Sequence, residues 1–262
     1  MHTGAITGYI DVAQLVLYAF WIFFFGIIYY LRREDKREGY PLESDRSERS
    51  GGRIKVQGFP AMPGPKTFLL AHGGSVVVPD PSKDVGEIRA LPTGPWPGAP
   101  LEPTGNPMLD GVGPAAYTPR SNSPDLTFEG IPKIVPLRVA TDYSIAKGDP
   151  DPRGLPVIGA DRNVAGTISD VWVDRSEPQV RYFEVAVTAG GSPRNVLLPV
   201  QLARVDTWRR QVVVKSLLAE QFATVPTLSN PDEVSLSEED RISAYYAGGN
   251  LYAIPARLEP LL

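Results

Sequence analysis

Twenty consecutive residues, Val12 to Leu31 (VAQLVLYAFWIFFFGIIYYL), contain a single strongly polar side chain, Gln14. A helix of that length spans roughly 30 Å, the thickness of a bilayer hydrocarbon core. Apolar character on every side is wrong for a helix with one buried stripe and right for a helix in lipid. Tyr29 and Tyr30 end the run, where amphipathic rings favour the headgroup region. No basic stretch precedes it, it is longer than a signal-peptide core, and no small-x-small cleavage site follows. The expectation is a retained transmembrane helix over 12–31. Residues 1–11 carry no Lys or Arg, whereas Arg32, Arg33, Lys36 and Arg37 follow at once. This asymmetry predicts 1–11 outside and the rest of the chain in the cytoplasm.

More than two hundred residues of soluble character follow. With no cysteine, the sequence excludes disulfides, thiolate metal sites and cysteine nucleophiles. Its two histidines, His2 and His72, are too few for a histidine-rich metal site. The net charge of -4 gives no footprint for nucleic acid. Pro (27) and Gly (25) predict many turns and little helix beyond the N-terminus. Residues 32–56 read as a membrane-surface segment and polar linker. Residues 57–136 read as Pro/Gly-rich extended chain with a few strands, such as TFLL (67–70) and SVVVP (75–79).

From 137 to 262 the pattern changes. GTISDVWVD, YFEVAV, VLLPVQL and QVVVKSLL are strand candidates, with Phe183, Val185 and Val187 on one face. GADRN, TAGGSPRN and DTWRR separate them, and such spacing indicates a small antiparallel barrel or sandwich. SLSEEDRISAYYAGG reads as a C-terminal helix, capped by Ser237 and ended by Gly248 or Gly249.

Few motifs carry chemistry. GVGPAA (111–116) matches a dinucleotide fingerprint, but without a preceding strand a loop turn is the better reading. His72 reads as a turn residue. Asp170, Asp174 and Glu177 gather near Arg181, which suits either a hairpin-edge salt bridge or a proton relay. No triad or metal set can be assembled.

Several longer words, among them DVAQLVLYAFWIFFFGIIYYLRREDKREGYPLE, PTGNPMLDGVGPAAY, KIVPLRVATDYSIAKGDPDPRGLPV, VWVDRSE and EEDRISAYYAGGNLYA, resemble the H subunits of purple-bacterial photosynthetic reaction centres. The likeness runs nearly end to end, and its middle is similar to a PRC-barrel module. It implies a single-pass protein of the bacterial inner, intracytoplasmic membrane that is not itself an enzyme. Such a subunit binds no pigment or metal. It caps the L and M subunits, which hold bacteriochlorophyll, bacteriopheophytin, quinones, non-haem iron and carotenoid. A light-harvesting antenna and a cytochrome subunit are further partners it allows. The resemblance assigns Asp174, Glu177 and Arg181 to a proton path toward the secondary quinone. It assigns Tyr30, Arg32, Arg33, Lys36, Arg37 and Tyr40 to contacts with lipid headgroups and with L and M. One departure stands out. Some relatives carry a surface histidine pair before the lysine of KI.P; here the stretch is TFEGIPKIVP, and Glu129 takes that place as the entry candidate. The competing expectation is a membrane-tethered PRC-barrel adaptor that recruits a cytoplasmic partner.

Overall fold

The computed structural model describes residues 4, 6–7, 9–43, 55–80, 88–96, 98–189 and 192–258. The linker expected at 44–56 therefore lies mostly outside the described residues. The chain divides into two compact units, Met1–Asp84 with Gly94–Ala99 and Val85–Thr93 with Pro100–Leu262.

In the first unit, helix α1 (Val12–Glu34) starts where Asp11 accepts the backbone N–H of Gln14 at 2.7 Å. That cap satisfies one of the free N–H groups of the first turn. Among the described residues this is the one helix long and apolar enough to cross a membrane, and none of its residues is buried. Gln14 is less isolated than its neighbours suggest, because its amide donates to the Tyr18 hydroxyl at 2.8 Å, one turn on. Phe20 stacks on Phe24, and Trp21 on Phe25, at the same helical spacing. The helix outlasts the apolar run by a turn and tightens into a 3-10 turn at Asp35–Arg37. Two short hairpins follow, β1 (Leu42–Glu43) with β2 (Lys55–Val56) and β3 (Lys66–Leu69) with β4 (Ser75–Val78). His72 lies in the turn of the second.

The second unit opens with the hairpin β5 (Ala90–Pro92) and β6 (Leu101–Pro103) and the one-turn helix α2 (Pro107–Asp110). Gly111 ends α2 in the left-handed conformation, φ 68°, which a glycine adopts without a Cβ clash. Gly113–Ala115 form a 3-10 turn, so GVGPAA is a loop, as its missing strand predicts. The rest is one mixed sheet of β7 (Ile134–Pro136), β8 (Pro156–Ile158), β9 (Val164–Asp174), β10 (Gln179–Ala189), β11 (Ser192–Pro199), β12 (Ala203–Asp206) and β13 (Gln211–Val214). Its order is β11-β10-β9-β8-β13-β12, with β7 paired to β9. All pairs are antiparallel except β8 with β13. The two edge strands β11 and β12 are joined by the single turn Val200–Leu202, so the sheet must curl until its edges are neighbours. That is how an open strand order becomes a barrel.

Alternation decides what the barrel encloses. Phe183, Val185 and Val187 are all buried, as period two predicts for one face of a strand. The opposite face of β9 and β10 is buried too. It carries Asp170, Trp172 and Asp174 on β9 and Tyr182 and Glu184 on β10, all under 7% exposed. The chain 120–138 and the C-terminal helix α3 (Leu236–Tyr252) supply groups that cover this outer face.

Helix α3 departs from expectation at both ends. Its N-cap is Ser235, not Ser237: the Ser235 hydroxyl accepts the Glu238 N–H, and the Glu238 carboxylate accepts the Ser235 N–H at 2.9 Å. This reciprocal box outcompetes a lone serine two residues later. Nor do Gly248 and Gly249 end the helix, which runs on to Tyr252. Both glycines are buried where the helix packs closely, so they are contact residues rather than stops. Ser235→Ala is expected to cost about 1 kcal/mol of stability. A thermal melt of the detergent-purified chain checks this, and an unchanged midpoint refutes the cap.

Candidate functional site

The sequence singles out two groups of residues, at the membrane exit and on the β9–β10 hairpin. At the exit, Tyr30, Arg32 and Arg33 are exposed at the end of α1, as lipid or partner contact requires. Lys36 and Arg37 are placed otherwise. Lys36 is 2% exposed, and its ammonium donates to the carbonyls of Gln57 and Pro60, both at 2.5 Å. The ring of Tyr40 lies beneath it at 5.3 Å. Arg37 pairs with Glu34 at 2.8 Å and spends its remaining N–H groups on the carbonyls of Gly64 and Val78. A desolvated cation needs acceptors, and strand-poor chain offers free carbonyls. Two of the four cations expected at headgroups thus tie the helix end to the chain that follows.

On the hairpin, Asp174 ends β9 at 2% exposure. Its Oδ1 accepts the N–H groups of Ser176 and Glu177 at 2.9 and 3.1 Å, an Asx turn that shapes the loop. Its Oδ2 faces the Lys133 ammonium at 3.8 Å, and Lys133 also meets Asp125 at 3.4 Å. The pairing of Ile134 with Asp174 across β7 and β9 fixes this neighbourhood. Glu177 is exposed in the loop and accepts from Gln179 at 3.2 Å. Glu129 is exposed in a different loop.

Arg181 does not bond to the carboxylates it was grouped with. It lines a cleft of about 400 Å³ with Arg120, Asp125, Lys133, Tyr182, Glu239 and Asp240. Arg120 pairs with Asp240 across it at 3.4 Å. The buried Tyr182 hydroxyl donates to Glu239 Oε2 at 2.7 Å. Burial pushes the Glu239 carboxyl above the usual carboxylate range, against the pull of Tyr182 and Arg181, with Asp125 and Asp240 adding to the rise. Burial also raises the Tyr182 phenol, helped by the neighbouring Glu239 charge, so it stays a donor. The cleft thus joins a carboxyl that holds its proton more tightly than usual to Lys133, Asp125 and, through Lys133, Asp174.

Asp170 belongs elsewhere. Arg138 Nη1 bonds Asp170 Oδ2 at 3.2 Å and Glu184 Oε2 at 2.8 Å, and its Nε bonds Asp232 at 3.1 Å. Glu184 also accepts from Trp172 Nε1 at 2.9 Å, Asn195 at 2.7 Å and Ser169 at 3.1 Å. Burial works against the Arg138 charge, but Glu184, Asp232 and Asp170 outweigh it and lift the guanidinium above its ordinary value. Every polar group here is occupied, which marks a structural network rather than a conducting one.

The sequence reading missed Lys133, Asp125, Tyr182 and Glu239. Glu239 sits in the acidic first turn of α3, where an acid is expected for the helix dipole alone. Only the tertiary fold shows that this turn faces the outer side of β10. Among the described residues no group of three His, Asp or Glu could hold a metal ion.

Residues 4–139 match the family model of the photosynthetic reaction centre H-chain N-terminal region. The chain belongs to this H-chain family. Residues 146–221 match the PRC-barrel domain, which covers β8 to β13. Membership makes the chain a non-enzymatic structural subunit of a photosynthetic complex, working with other reaction-centre subunits. Helix α1 fits a single-pass inner-membrane protein.

Proposed function

We propose that the chain caps the pigment-bearing L and M subunits on the cytoplasmic side and carries protons toward the secondary quinone. The observation that supports this most is the cleft around Glu239. A quinone reduced by two electrons takes up two protons, and a cap that excludes bulk water must offer them a route. This chain binds no pigment, quinone or iron; the partner chains hold them. Glu239 is the group that keeps a proton. Lys133 and Asp125 connect it to solvent and to Asp174, and Arg181 holds the local charge in balance. The Asp174–Gln179 loop presents Glu177 to the partner chains. Glu129 remains a candidate for entry in place of surface histidines. The antenna and a cytochrome subunit are further partners within the same complex.

Two measurements test the reading. Mild-detergent purification through a tag on this chain should bring down bacteriochlorophyll bands that bleach in light; a colourless product from pigmented cells overturns it. In the purified complex, Glu239→Gln should slow flash-induced proton uptake by about tenfold or more. Unchanged uptake in both Glu239→Gln and Asp174→Asn would remove the relay. The pH dependence of stability separates charge from shape. Because the folded chain raises the Glu239 pKa, it binds that proton more tightly than the unfolded chain does. Stability from this group therefore rises as pH falls through the raised value. Glu239→Gln should be at least as stable as the native chain at neutral pH and should lack that acid-side gain.

A further inference from the structure

The β12–β13 hairpin carries a feature that neither the relay nor the cap uses. Its loop is Thr207-Trp208-Arg209-Arg210, closed by the pairing of Asp206 with Gln211. Trp208 is 93% exposed, beyond any other tryptophan of the chain. Asp206 Oδ1 accepts the Arg209 N–H at 3.0 Å and so builds the turn. Arg210 stands at φ 51°, a left-handed position where glycine or asparagine is the easy choice. Arg162, at φ 65° in the turn before β9, shares this backbone; what sets Arg210 apart is the exposed indole two residues before it. Among the described residues the side chains of Arg204, Arg209 and Arg210 have neither the acidic partner of Arg89, Arg138 and Arg153 nor the carbonyl acceptors of Arg194 and Arg257, a state they share with Arg162. The tip is an exposed indole followed in sequence by two exposed arginines, Arg209 and Arg210.

Its position adds a second argument. β13 runs parallel to β8, and β8 runs antiparallel to β9. The N-terminal end of β13, where Trp208 lies, is therefore at the same end of the sheet as the C-terminal end of β9 and the Glu177 loop. That end carries Glu177, which the proposed function turns toward the membrane-embedded partner chains, so the orientation rests on that reading.

We infer that the β12–β13 tip seats on the headgroups of anionic phospholipid, with the Trp208 indole in the interface and Arg209 and Arg210 on phosphate. Size decides between lipid and protein. A stable protein interface needs roughly 800 Å² per partner. A convex four-residue tip offers far less, yet one indole and two cations suffice for a headgroup layer. The tether supplied by α1 keeps that layer at high effective concentration. A leaflet held so close makes even a weak seat occupied.

The test uses the full chain in lipid nanodiscs, with brominated acyl chains as quencher, and needs no pigment subunit. Its failure is thus distinguishable from failure of the reaction-centre reading. Native minus Trp208→Phe emission isolates this one indole. In discs containing phosphatidylglycerol the difference emission should be quenched; in phosphatidylcholine alone it should not. Arg209→Glu with Arg210→Glu should weaken the seated fraction by roughly thirtyfold or more, and high salt should act the same way. Difference emission typical of water-exposed indole in both discs overturns the inference. Protection that appears only when other subunits are bound, without bromolipid quenching, overturns it too and assigns the tip to a protein partner.

Discussion

A leucine at position 249 is expected to leave no folded β-rich body, and even alanine there should cost about 1–2 kcal/mol net. Helix propensity argues the other way, since Ala is better than Gly inside a helix by about 1 kcal/mol. Packing wins because of what stands opposite. A Cβ on Gly249 would come within 2.5 Å of Leu217 Cδ2 and closer still to the Ser216 carbonyl oxygen. The carbonyl is backbone, fixed between β13 and the turn that follows, and cannot rotate aside. Gly248 faces a similar limit, with Ala115 Cβ at 2.6 Å from its own missing Cβ. The pair lets α3 approach both the 113–115 turn and the chain after β13. Denaturation of the detergent-purified chain checks this, with Gly26→Ala as control, since nothing lies within 4 Å of a Cβ at Gly26. A Gly249→Ala variant more stable than the native chain would show that propensity rules and that the close approach carries no weight.

That same pair shows where sequence pattern stops. Two adjacent glycines near the end of a helical run read as a helix stop, because a local rule sees only the local backbone. Their reason for being there lies across the sheet, at Ser216 and Ala115, and no periodicity encodes it. The transmembrane helix was legible for the opposite reason: twenty apolar residues are constrained by the solvent alone, not by a partner in the fold. The strands of β9 to β11 were legible through alternation, and so was the burial of Phe183, Val185 and Val187. Their other face was not. Asp170, Asp174 and Glu184 occupy outward positions that a one-sided sheet would give to water, so Asp170 and Asp174 suited a hairpin-edge salt bridge as well as a relay, and Glu184 drew no reading. They are buried because α3 and the chain around 120–138 return over them. At the exit, Lys36 and Arg37 satisfied a charge rule that counts residues without asking where each side chain ends.

Removing Arg138 tests how the doubly covered face is held. Arg138→Met is expected to destabilise the body by about 3 kcal/mol. The loss does not come mainly from the arginine, whose side chain is 39% exposed and well screened. It comes from Glu184 and Asp170, with side chains 5% and 9% exposed, which would keep charge in a low-dielectric face without a cation. The Arg153–Asp151 pair is the comparison. Its contact is shorter, 2.6 Å, but its side chains are 45% and 43% exposed. Arg153→Met should therefore cost less than about 1 kcal/mol, because water already solvates both partners. Burial, not contact distance, ranks the two. Glu184→Gln keeps the shape but has one acceptor oxygen where Trp172 and Asn195 donate to two, and should cost about 1–3 kcal/mol. Combined with Arg138→Met, it should lose less than the sum of the singles by about 1 kcal/mol or more, because the stranded charge is gone. Equal costs for Arg138→Met and Arg153→Met, or strict additivity with Glu184→Gln, would mean that the network does not act as a unit and that the outer face of β9 and β10 is held by packing alone.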